Sequence, residues 1–130
     1  QLQRLEEVIF ERQRLLGQYR QLLTGLPLQL LEIPQNVRSS LHLAVIRLAD
    51  PNPDHHRRVF EGLRAAGIGV QVHYIPVHLQ PYYRRLGFRE GDFPEAEAYA
   101  KNAISLPIYP GLQDDDQQRV VRTLASLLAE

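Results

Sequence analysis

The sequence predicts an α+β domain, a small mixed sheet covered by helices on one face, and three observations carry that expectation. Ile68, Val70, Val72 and Tyr74 alternate with Gly69, Gln71 and His73, the period-two pattern of a half-buried strand. Leu41 to Leu48 is nearly continuous apolar sequence with β-branched residues, the pattern of a buried strand. Around these runs apolar residues recur at spacings of three, four and seven, the helical period. At 130 residues the chain is one domain's worth of sequence, long enough to bury a core.

Residues 2–24 are expected to form one long amphipathic helix. Leu5, Ile9, Leu16, Tyr19 and Leu23 make the stripe, and Leu2, Val8, Leu15 and Leu22 widen it. At about 1.5 Å per residue such a helix is longer than a small domain needs, which suits a strut between domains. Gly25 fits its C-terminal cap and Pro27 blocks its continuation. Residues 26–33 read as extended and 36–40 as a turn before the strand 41–48. Asp50-Pro51-Asn52-Pro53-Asp54 then gathers several helix-start signals. The helix over 54–66 is expected to bury Val59, Phe60, Leu63 and Ala66, with Gly67 ending it.

The strand over 68–74 is the element about which the rest is expected to be arranged. Pro76 cannot donate to a sheet ladder and so ends it. Pro81 opens a short helix through Leu86 that Gly87 closes. Asp92 and Glu95 have the spacing of a capping box, and Ala96, Tyr99, Ala100 and Ala103 give the next helix a small-residue face. Ile104 to Ile108 is expected as an edge strand, because Pro107 interrupts it. Asp114 to Leu128 is the last helix, its three leading aspartates complementing the free N–H groups of its first turn.

Composition excludes several classes of function. Fifteen basic and fifteen acidic side chains cancel, and no basic stripe forms, so a nucleic-acid partner is not expected. With no cysteine, disulfides and thiolate chemistry are ruled out. No apolar run approaches the roughly 20 residues of a membrane span, and no charged-then-apolar leader is present, which makes a cytoplasmic location the default. The sequence holds no methionine and starts at Gln1 inside a helical repeat without a cap, so it is expected to be a piece of a longer protein.

His73, Tyr74 and His78 gather at a strand-to-loop exit, and polar rings delivered there by a rigid strand point to a binding site. In a regular strand His73 and Tyr74 face opposite ways, and only a bend before Pro76 lets both reach one site. His73 and His78 are therefore the preferred site residues, with Tyr74 held in reserve as a core residue. His55 and His56 with His73 and His78 fall short of a convergent set of three or four ligands, so no metal is expected. Gly67-Ile68-Gly69 lacks the third glycine of a dinucleotide fingerprint. Lys101 is the only lysine; nothing around it in sequence would lower its pKa for a Schiff base, so it is read as solvated. No complete catalytic apparatus is visible. The competing reading is a self-sufficient α+β binding module whose long helix dimerises.

Three segments resemble a known family: G-I-G-V-Q-V-H-Y-I-P-V-H-L-Q-P-Y-Y from Gly67 to Tyr83, G-D-F-P-E-A-E-A-Y from Gly91 to Tyr99, and S-L-P-I-Y-P-G-L from Ser105 to Leu112. In this order they are similar to the C-terminal domain of the pyridoxal 5'-phosphate (PLP)-dependent sugar-nucleotide aminotransferases of DegT/DnrJ/StrS type. The branch most similar is that of pseudaminic-acid and spore-coat polysaccharide biosynthesis. The first helix, through L-E-E-V-I-F-E-R-Q-R-L-L-G-Q-Y, resembles the helix linking the family's two domains. The resemblance implies an aspartate-aminotransferase-like small domain at 26–130 preceded by a linker helix at 1–25. It implies a homodimeric parent enzyme that converts a UDP-linked 4-keto-6-deoxy sugar to the 4-amino sugar with glutamate as donor. PLP and its Schiff-base lysine would belong mainly to a large domain absent here, leaving this piece inert alone. Carried onto the H-Y-x-P-x-H pattern, the resemblance makes His73, Tyr74 and His78 contacts to sugar or cofactor, with Tyr82 behind them.

Overall fold

The computed structural model describes residues 2–129; Gln1, Glu130 and the side chain of Leu2, with the expectations placed on them, lie outside the described residues. A 3₁₀ turn, Leu2–Arg4, leads into α1 (Leu5–Leu22). Its stripe divides in use. Ile9, Leu15, Leu16, Tyr19 and Leu23 are buried, whereas Leu5 and Leu22 of the stripe stay exposed, as does Phe10 outside it. The Tyr19 hydroxyl donates to the Pro107 carbonyl at 2.9 Å, and burial pushes its pKa up.

β1 (Leu28–Leu30) and β2 (Ala44–Leu48) form an antiparallel pair. β2 begins later than the apolar run suggested, because Leu41 takes a positive φ of 52° and the chain is not extended there. α2 (Pro53–Ala65) starts as its sequence requires: the Asn52 side chain accepts from the Asp54 N–H at 2.9 Å, with Pro53 in the first turn. Its end is a Schellman motif. Gly67, at φ +74°, donates its N–H to the Arg64 carbonyl at 2.9 Å, and Ile68 donates to Leu63 at 3.0 Å. Leu63 and Ile68 both enter the core, the apolar contact that accompanies this cap.

β3 is only Gln71–Val72, followed by a 3₁₀ turn (Val77–Leu79), α3 (Pro81–Arg85), α4 (Pro94–Asn102), β4 (Ala103–Leu106) and α5 (Asp114–Leu128). The sheet order is β1-β2-β4-β3, so two expectations about it are corrected. The strand expected at an edge, β4, lies between β2 and β3; it ends at Leu106, so Pro107 never enters the ladder. The strand expected to organise the domain, β3, is the edge, pairing with β4 only through Gln71↔Ser105 and Val72↔Ile104. Its partner is itself just four residues long, bounded by α4 and Pro107.

The α+β class holds, but the sheet is antiparallel throughout rather than mixed. β2 and β3, joined through α2, run parallel to one another, and β4 is inserted antiparallel between them. α1, α2 and α5 bury one face of this sheet with Ala44, Ile46, Leu48, Ile104, Leu106, Ile68 and Val70. α5 contributes Val120, Val121 and Leu124, and Asp114 in its first turn meets Arg14 of α1 at 3.1 Å. The expected capping box does not form. Asp92 instead accepts from the Arg89 N–H at 2.9 Å, and Phe93 occupies the N-cap without a side-chain bond.

Candidate functional site

The opposite face of the sheet presents Arg47, Ser105 and Gln71, following the alternation along β2, β4 and β3, and His73, just past the end of β3, lies beside Ser105. Tyr99 of α4 leans over it, its ring 5.2 Å from that of His73 and 6.0 Å from the Arg47 guanidinium. Ser105 Oγ lies 3.1 Å from His73 Nε2. Past Val72 the chain leaves the sheet and runs as a loop to Pro76. The exit loop, the α3–α4 connection and the first turns of α4 enclose an apolar groove of about 600 Å³. His73, Tyr74, His78, Tyr83, Phe88, Phe93 and Tyr99 line it, together with Ala96 and Ala100. A polar hollow of about 670 Å³ beside β1, lined by Arg20, Gln29, Glu32 and Arg47, lacks any such convergence of rings. The apolar groove with a few polar groups is the better ligand site.

The sequence-derived site residues are brought together unequally. His73 is half-buried, and desolvation lowers its pKa from 6.5, so its neutral form is favoured at neutral pH. His78 is only 7% exposed, because its Nε2 is bound at 2.9 Å to Glu97 Oε1. It lines the groove as a held residue rather than a free one. Tyr74, reserved for the core, is 90% exposed and corrects that assignment: the sheet ends at Val72, so the inward alternation does not carry on to Tyr74. Tyr82 is 60% exposed, packed edge-to-face on Tyr83 at 5.3 Å, and is not part of the groove lining. Ile75, Val77 and Leu86 are also exposed around this region, so the rim is strongly apolar.

Sequence reasoning missed Glu97, Ser105, Tyr99 and the two phenylalanines of the groove. Nothing singled out Glu97 in the sequence; only its place one helical turn beyond a proline start, facing a distant histidine, could have marked it. His55 lies 3.1 Å from its neighbour Asp50, and His56 ties α2 to the start of β4, 3.0 Å from the Ala103 carbonyl. No cluster of three or more possible metal ligands occurs among the described residues. Among those residues no helix is long and apolar enough to cross a membrane. Lys101 is exposed and 3.5 Å from Glu90, a surface pair outside the groove lining.

The lowered His73 pKa has a measurable sign. Between that folded value and 6.5 the unfolded chain binds more protons than the folded one, so stability rises with pH in that window. Wild type is expected to lose stability relative to His73→Asn as pH falls below 6.5, with no difference in slope above it. Urea unfolding from pH 5 to 8 reads this directly, and parallel curves throughout would refute the desolvated setting of His73.

Residues 1–125 match the family model described as the DegT/DnrJ/EryC1/StrS aminotransferase family. The spore coat polysaccharide biosynthesis protein SpsC of Bacillus subtilis is 32% identical over 98% of this chain and 34% of its own length. A Streptococcus pneumoniae protein assigned as a sugar aminotransferase, in its apo form, superposes with a TM-score of 0.92 at 27% identity, over 98% of this chain and 32% of that one. Helicobacter pylori PseC, an aminotransferase involved in the biosynthesis of pseudoaminic acid, shares the fold with a TM-score of 0.88 at 24% identity, over 99% of this chain and 35% of that one. The chain thus spans about a third of the length of these relatives.

Proposed function

The chain belongs to the DegT/DnrJ/EryC1/StrS aminotransferase family, and from this premise we propose that it is the small domain of a PLP-dependent sugar aminotransferase. The whole protein converts a UDP-linked 4-keto-6-deoxy sugar to the 4-amino sugar with glutamate as donor, as a cytoplasmic homodimer serving surface-polysaccharide or pseudaminic-acid biosynthesis. Residues 1–25 join the two domains and 26–130 form the small one. The half-exposed, half-buried use of α1 supports that division, since Leu5 and Phe10 are left for another surface while Leu15, Leu16, Tyr19 and Leu23 are docked.

The observation that carries the reading is the groove: His73, Tyr74 and His78 line one apolar trough, rimmed by exposed aromatic rings. In the whole protein these rings form one wall of the active-site cleft. Tyr74 stacks on the ligand, and the neutral imidazole of His73 offers hydrogen bonds without a charge. PLP, where bound, supplies the electron sink for amino transfer. The residues of this chain do not fit its anchorage, because Lys101 lies paired on the surface outside the groove lining. The cofactor belongs to the other domain, and this piece is inactive alone. The test is to incubate the full-length protein with glutamate and UDP-linked 4-keto-6-deoxy sugars and follow amino-sugar and 2-oxoglutarate by mass spectrometry. Stoichiometric formation of both is expected; no amino sugar from any nucleotide-linked keto sugar would refute it.

A further inference from the structure

Glu97 is an acid with only 7% of its surface exposed, and its partners explain why it can be. A single oxygen, Oε1, accepts from His78 Nε2 at 2.9 Å and from the Gly91 backbone N–H at 2.8 Å. These two bonds tie the loop that leaves β3 and the connection before α4 to α4 itself. Phe93 closes the side, its ring 4.8 Å from the His78 ring. The bond from His78, followed by that from Gly91, holds the carboxyl below its usual pKa, so it is ionised at neutral pH. An ionised carboxylate can only accept, so the hydrogen must sit on His78 Nε2. Nδ1 of His78 bonds to none of the described residues, is not sealed from solvent, and belongs to a side chain lining the groove.

We infer that Glu97 is a positioning residue: it fixes a proton on Nε2 of His78, so that the neutral imidazole presents Nδ1 to the groove as an acceptor for a hydroxyl of the bound sugar. The identity of that ligand rests on the proposed function; the tautomer does not. An acceptor nitrogen fixed in this way discriminates by chemistry. A hydroxyl in reach is bonded, and an analogue lacking it covers the lone pair and leaves it unpaired. An outer carboxylate that orients an imidazole in this manner is a recurrent device in binding sites.

The experiment joins two readouts on the full-length protein. Two-bond ¹⁵N–¹H correlation spectra of ¹⁵N-histidine-labelled protein at neutral pH are expected to show His78 protonated on Nε2 alone. Glu97→Ala should give a tautomer mixture and raise the KM for nucleotide sugar roughly tenfold, the scale of one lost hydrogen bond, with kcat changing less. Glu97→Gln, whose amide oxygen still accepts, should retain the tautomer and restore most of the binding. An Nδ1–H or doubly protonated His78 in the wild type overturns the inference, and that spectrum decides even where Glu97→Ala fails to fold. A tautomer shift in Glu97→Ala with an unchanged KM also overturns it, while leaving the transaminase reading intact. Absence of sugar transamination in the wild type overturns that reading and the hydroxyl assignment, with the tautomer still judged by the spectrum.

Discussion

Tyr19→Ala is expected to destabilise the protein by about 3–5 kcal/mol, the range for deleting a large buried ring from a packed core. Tyr19 is fully buried on α1 among Leu15, Leu16 and Leu23, and its hydroxyl is bonded to the carbonyl that follows β4. The residue therefore fastens the long helix to the central strands at two levels, apolar contact and one hydrogen bond. The levels separate by substitution. Tyr19→Phe removes only the bond and should cost about 1 kcal/mol, the net worth of one intramolecular hydrogen bond. Against a total stability of about 5–15 kcal/mol, the alanine variant should show a markedly lower urea midpoint, and the phenylalanine variant a small shift. Equal small losses for both would mean that α1 is a passive strut laid against the domain.

Tyr74→Ala carries the second large effect, and it falls on binding instead of folding. The ring is almost wholly exposed and packs on nothing in the core, so its removal should change stability by no more than about 0.5 kcal/mol. In the whole protein, covering such a ring against a ligand is worth about 1.5–3 kcal/mol, which corresponds to a roughly tenfold or greater rise in the KM for nucleotide sugar. The same region has the opposite response at His78, whose burial and bond to Glu97 make it costly to remove for structural reasons as well. Two residues of one short motif are thus expected to divide between stability and binding.

What the sequence disclosed was mostly local. Asn52 before Pro53 capped α2, and Gly67 closed it, because both features depend on backbone geometry within a few residues. The apolar spacing of α5 gave core residues for the same reason, and so did that of the second half of α1 apart from Leu22, which is exposed. Strand order was not local. The proline at 107 looked like a break inside a strand, but β4 stops one residue earlier, and its place between β2 and β3 follows from long-range pairing. The site behaved likewise. The motif from His73 to His78 was visible, yet which ring is free and which is held depends on Glu97, nineteen positions beyond His78. Tyr74 was misjudged because alternation was extended past the end of the sheet into a loop where it no longer applies.

The central claim, that the groove is the sugar-facing wall of an aminotransferase cleft, is tested most directly by separating the two half-reactions in single turnover. With His73→Ala and Tyr74→Ala combined in the full-length protein, amino transfer from glutamate should proceed near the wild-type rate, while transfer to the nucleotide-linked keto sugar should require much higher sugar concentration. Equal impairment of both halves, or impairment of the glutamate half alone, would contradict it.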